Sequence, residues 1–142
     1  MQPAEYANLA AHEESHWWFA GKREAVLWCL ARFGPPQPAM WRVLDVGCGP
    51  GATLTALREH FPFVVGVDYA PEALHYAARR HQRRLCRGNA LALPFAGNTF
   101  HAVTALDVLY QRWVTDDRAA LGEMHRVLKP GGLLVATVPA FD

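Results

Sequence analysis

Apolar positions recur along this chain with two different periods, and the place where the period changes divides it. Val26, Leu27, Leu30 and Phe33 fall at helical spacing on one face, so residues 1–34 read as a polar, aromatic lead followed by a helix. Gly34-Pro35-Pro36-Gln37-Pro38 halts that helix, since proline lacks the N–H a helix needs, and forms a short stiff linker. Beyond it, short apolar runs alternate with helical ones. Trp41 to Val46, Phe63 to Val67, a piece near Leu85 and Cys86, Phe100 to Leu106, and Leu133 to Val138 predict five strands. Ala52 to His60 predicts a helix, with Leu54, Leu57 and Phe61 at its apolar spacing. Pro71 opens a second over Glu72 to His81. Asp116 to Leu128 predicts a third, with Leu121, Met124 and Leu128 in register and Lys129-Pro130-Gly131-Gly132 as its stop.

Strands alternating with helices imply βαβ units and right-handed crossovers. The expectation is a doubly wound α/β fold around a parallel sheet. The linker divides the chain into an N-terminal aromatic helical segment, residues 1–38, and a core, residues 39–142.

Composition narrows the class. The chain has 142 residues, 51% apolar and 19% charged, enough for one domain with its own core. Fourteen basic against 13 acidic residues leave a net charge of +1, which gives no strong nucleic-acid signal. Arg79, Arg80, Arg83, Arg84 and Arg87 form a local basic run whose ordinary reading is a solvated face near a helix C-terminus. No apolar run approaches the ~20 residues of a membrane span, and the N-terminus lacks the pattern of a signal peptide. Three cysteines, Cys29, Cys48 and Cys86, without a CxxC, fit a reducing cytoplasm better than a disulfide framework or a cysteine-rich metal site. No metal site is expected.

The strongest chemical signal is Val43-Leu44-Asp45-Val46-Gly47-Cys48-Gly49-Pro50-Gly51, a buried strand running into alternating glycines and then a helix. Glycines there let the backbone turn sharply and let a ligand approach the main chain. Asp68 ends the next strand, about 20 residues on, where a carboxylate accepts hydrogen bonds from ribose hydroxyls. Both lie at the carboxyl ends of adjacent strands, the ligand side of open α/β sheets. A purely structural turn is the plain alternative. Gly47-Cys48-Gly49-Pro50-Gly51-Ala52 also satisfies the G-x-G-x-x-G/A fingerprint of NAD(P)-binding domains. Cys48 reads as a small loop residue rather than a nucleophile.

From Trp41 to Pro139 the chain resembles the class I S-adenosylmethionine-dependent methyltransferases, in the broad type-11-like group. Asp45 to Gly51 resembles that family's first motif, and Gly66-Val67-Asp68-Tyr69-Ala70-Pro71-Glu72-Ala73-Leu74 its second. Gly88-Asn89-Ala90 with Leu93-Pro94-Phe95 resembles the adenine-side loop, Phe100 to Tyr110 the fourth strand and its exit, and Arg126 to Gly132 the run before strand five. His16-Trp17-Trp18-Phe19 is similar to the aromatic N-terminal helix that some members place over the active site.

The resemblance implies a Rossmann-like sheet of order 3-2-1-4-5, S-adenosylmethionine as cofactor, and in-line methyl transfer to a small-molecule acceptor. It implies that Asp45, Gly47, Cys48, Gly49 and Gly51 line the methionine side, and that Asp68 binds the ribose. It further implies that Tyr69 packs on the adenine, that Asn89, Ala90 and Leu91 meet the adenine edge, and that Asp107 lies near the sulfonium. Asn89, His101 and Gln111 depart from the residues common in the family at those places. No catalytic base stands out; His16 is the candidate because it lies in the aromatic lead. Trp17, Trp18 and Phe19 either cap an acceptor pocket or cover the sheet edge. The chain ends at Ala140-Phe141-Asp142, where the family continues with two more strands. The expectation is a truncated methyltransferase lacking strands six and seven, prone to self-association through the edge of strand five. A non-catalytic cofactor-binding or partner domain is the alternative.

Overall fold

A computed structural model describes residues 1–80 and 83–140. Five parallel strands form one sheet in the order β3-β2-β1-β4-β5. They are β1 (Arg42–Val46), β2 (Phe63–Asp68), β3 (Leu85–Arg87), β4 (Phe100–Leu106) and β5 (Leu128–Thr137). The helices are α1 (Pro3–His12), α2 (Trp17–Phe33), α3 (Ala52–His60), α4 (Pro71–Arg79) and α5 (Asp117–Val127). This is the doubly wound α/β architecture that the alternation of periods predicts, with β1 central and the strand order reversing beside it.

Parallel strands bury both faces, and the two faces carry separate cores. Val43, Val64 and Ala102 pack with Val26 and Leu30 of α2 and Leu54 and Leu57 of α3. Leu44, Val67, Val103 and Ala105 pack with Ala120, Met124 and Val127 of α5. Trp41 closes the first core by stacking on Phe61, with centroids 5.0 Å apart and an interplanar angle of 6°. Val26 and Leu30 thus seat α2, from before the linker, on one face of the sheet.

Several expectations change. The polar lead is itself a helix, α1, started by Pro3 and by the Glu5 carboxylate accepting the Gln2 backbone N–H at 2.7 Å. Its one buried side chain is Tyr6, too thin a stripe for an apolar-period reading. Phe33 leaves the buried face of α2 and sits 60% exposed, edge-on against Trp28. Leu121 is likewise exposed on α5, while Met124 is buried. Strand β5 begins at Leu128, so Lys129 to Gly132 lie inside it, and a register shift between Phe100 and Ala102 absorbs the irregularity. Pro71 is the first residue of α4, as expected; the helix end expected at His81, and Phe141 and Asp142, lie outside the described residues.

Candidate active site

The carboxyl ends of β1, β2 and β4 open into a cleft of about 250 Å³, far more than a buried water requires. Its floor is the loop after β1. Gly47 and Cys48 both donate to Val67 O, at 2.8 and 3.1 Å, so the loop prolongs the β1–β2 ladder before turning away. Gly47 turns with φ +69°, and a Cβ there would lie 2.3 Å from Val108 Cγ2. Gly49 (φ +55°) faces open space: a Cβ would meet nothing within 4 Å. One glycine permits the turn and the other keeps the backbone bare toward the cleft.

Carboxylates ring this floor. Asp45 is buried, and Thr104 on the paired strand donates to its Oδ1 at 2.7 Å. Burial pushes the Asp45 carboxyl up to about 7, against the pull of that hydrogen bond, and Asp68 and Glu13 add to the rise. Asp68 closes β2. Its Oδ2 accepts the Gly49 N–H at 2.8 Å and its Oδ1 the Ala70 N–H at 2.9 Å. Burial raises the Asp68 carboxyl, and these backbone donors hold the rise down. Asp107 follows β4 with φ +57°, a left-handed conformation an aspartate tolerates. Its backbone N–H donates to Thr137 O at 3.1 Å, and its Oδ1 accepts from Thr137 Oγ1 at 3.2 Å.

The opposite wall comes from α1 and α2. Glu13, one residue past α1, accepts the Ala52 N–H at the start of α3 at 3.1 Å and pairs with Arg80. Burial raises its carboxyl, and Arg80 opposes the rise. Arg80 also donates to Ala10 O at 2.6 Å, and Arg23 donates to Glu13 O at 2.5 Å. From α2, Lys22 reaches across to ion-pair with Asp107.

The cleft thus gathers Asp45, Gly47, Cys48, Gly49, Asp68 and Asp107 from among the expected site residues. Gly51 lies buried behind them as the N-cap of α3. Tyr69 is outside the lining and stacks on Trp113, which does line it, at 5.3 Å and 11°. Asn89 Oδ1 accepts the Leu91 N–H at 2.9 Å, Ala90 is buried in the core and Leu91 packs against it, so none of the three enters the cleft. His16 is the N-cap of α2, its Nδ1 accepting the Trp18 N–H at 3.3 Å, and it stands outside the lining. Glu13, Lys22, Arg23, Tyr6 and Tyr110 line the cleft without having stood out in the sequence.

The methyltransferase domain family model matches residues 44–136. The chain belongs to this family, the class I S-adenosylmethionine-dependent methyltransferases. A demethylmenaquinone methyltransferase from Thermus thermophilus is 42% identical over 106 residues, 70% of this chain and 47% of the relative. An amino pentose methyltransferase from Micromonospora echinaspora, involved in calicheamicin biosynthesis and solved SAM-bound, is 35% identical with a TM-score of 0.72, over 99% of this chain and 58% of that one. Streptomyces venezuelae DesVI shares the fold, at 23% identity and a TM-score of 0.77 over 99% of this chain and 59% of that one. The chain spans about half the length of the curated relatives it matches. Among the described residues, no helix is long and apolar enough to cross a membrane, and no group of three or more His, Cys, Asp or Glu side chains is placed to hold a metal ion.

Proposed function

We propose that this chain carries the cofactor site of an S-adenosylmethionine-dependent methyltransferase acting on a small-molecule acceptor, with residues 1–38 as a cap over the core of residues 39–142. The observation that carries the reading is Asp68: a carboxylate at the end of β2, tied to the glycine loop through Gly49 and lining the cleft. The residues fit the group. Gly49 leaves room for a ligand against the backbone, and the carboxylates of Glu13, Asp45, Asp68 and Asp107 in the lining suit a ligand bearing a sulfonium and an ammonium. Asp68 accepts the ribose hydroxyls. Gly47, Cys48 and Gly49 border the methionine part, with Asp45 beneath and Gly51 starting α3. Tyr69, braced on Trp113, borders the adenine, whose edge meets the backbone of Asn89 to Leu91. Asp107 stands on the sulfonium side.

When bound, the cofactor supplies a methyl group activated by its sulfonium charge. The protein's part is to hold a nucleophile in line and exclude water, which α1 and α2 do by roofing the cleft. A small-molecule acceptor is supported by relatives named for demethylmenaquinone and amino pentose chemistry. Three free cysteines are in keeping with a reducing cytoplasm.

Calorimetric titration with S-adenosylhomocysteine tests the reading. Saturable binding is expected, lost in Asp68→Ala, with none for NAD. Binding of NAD instead, or no binding by the folded chain, contradicts it.

A further inference from the structure

The ammonium of Lys22 enters the cleft from α2 with its side chain only 16% exposed. It pairs with Asp107 and lies 5.0 Å from the centre of the Phe19 ring and 5.6 Å from that of Trp18. Asp107 is held in turn by Thr137, and Gln111 donates to its carbonyl at 3.0 Å. Phe19 and Tyr110 both line the cleft, and burial, with the nearby Asp107 charge, raises the Tyr110 phenol. A charged donor and a charged acceptor therefore meet inside the cleft, fixed by two separate elements and flanked by flat apolar rings.

Resting on the methyltransferase reading, the geometry points to Lys22 and Asp107 as the acceptor-recognition pair, selecting a hydroxyl carried on an aromatic ring. A hydroxyl is the small group that donates to a carboxylate and accepts from an ammonium at the same atom. A protonated amine meets like charge at Lys22, and an acidic carboxylate meets it at Asp107. Phe19 and Tyr110, both in the lining, favour contact with a flat ring. An aromatic hydroxyl is also acidic enough for the ammonium to draw out its charge. The O–H proton passes to the Asp107 carboxylate and on to water, the bonding pair stays on the hydroxyl oxygen, and Lys22 holds that oxygen.

A simple tether between α2 and β4 makes different predictions. The probes are 4-methylphenol, its methyl ether 4-methylanisole, and benzylamine, titrated into the full chain saturated with S-adenosylhomocysteine. The phenol is expected to bind at least about tenfold tighter than the ether, because the ether has no O–H to donate to Asp107. Benzylamine is expected to bind more weakly still. Lys22→Met should collapse the phenol-to-ether ratio to about one, and Lys22→Arg should restore most of it. S-adenosylhomocysteine affinity should change by less than about threefold in both. An unchanged ratio in Lys22→Met, no preference in the unmodified chain, or benzylamine binding as well as the phenol overturns the assignment while leaving the cofactor reading standing. Failure of S-adenosylhomocysteine to bind overturns both.

Discussion

The two walls of the cleft are built by different means. The sheet wall is mostly backbone: strand ends, left-handed glycines, and an Asp68 carboxylate fastened to the Gly49 and Ala70 N–H groups. The cap wall is held by side chains: Glu13 and Lys22 reach to Ala52 and Asp107, 39 and 85 residues away in sequence, and Arg80, just past α4, reaches back over 67 residues to Glu13. A wall of backbone stays formed whether or not a ligand is present. A wall of long polar side chains depends on each partner being in place, so it is the side expected to loosen first.

The largest effect should fall on the sheet wall. Gly47→Ala puts a Cβ into Val108 and forces a left-handed alanine, at a cost of about 3 kcal/mol. Urea unfolding monitored by tryptophan fluorescence reads it, and a cost near zero would mean the loop is softer than its geometry implies. Next comes the cap. Glu13→Ala leaves Arg80 and the Ala52 N–H without their shared acceptor. The expected loss is about 2 kcal/mol, with faster amide exchange concentrated in α1. If the loss were spread evenly over β1 and β2, the walls would not be separable.

How legible the two walls were in the sequence follows the same division. Gly47, Gly49 and Asp68 were readable because turn geometry and strand ends are encoded within a few residues. Glu13, Lys22 and Arg80 were not, because nothing local marks a side chain whose partner is tens of residues away. Phe33 misled for the opposite reason: its period matched Val26 and Leu30, but it lies beyond the reach of the sheet and packs on Trp28 instead. Asn89, Ala90 and Leu91 were placed by motif position alone; the Asn89 side chain accepts the Leu91 N–H, Ala90 lies in the core and Leu91 packs against it.

Asp45 should give a smaller effect with a characteristic pH dependence. Its carboxyl is raised from 3.8 to about 7 in the folded chain, so the folded state keeps the proton longer than the unfolded one. Its contribution is therefore present at low pH and lost as pH climbs from about 4 toward 7. Asp45→Asn should gain about 1–2 kcal/mol over the parent at pH 8 and nothing at pH 4, in thermal melts across that range. A gain that did not vary with pH would place the cause in packing. The smallest effect belongs to Phe33→Ser, expected within about 0.5 kcal/mol of the parent because the ring is solvent-facing. A larger loss in the same melts would show that the outer face of α2 is covered in solution.

Hydrogen exchange of the full chain with and without S-adenosylhomocysteine tests most directly whether both walls close on one ligand. The account predicts slower exchange in two places together: the amides of Gly47 to Ala52, and those of α1 and α2. Protection of the glycine loop with the helices unchanged would contradict it, since the ligand would then rest on the sheet wall alone.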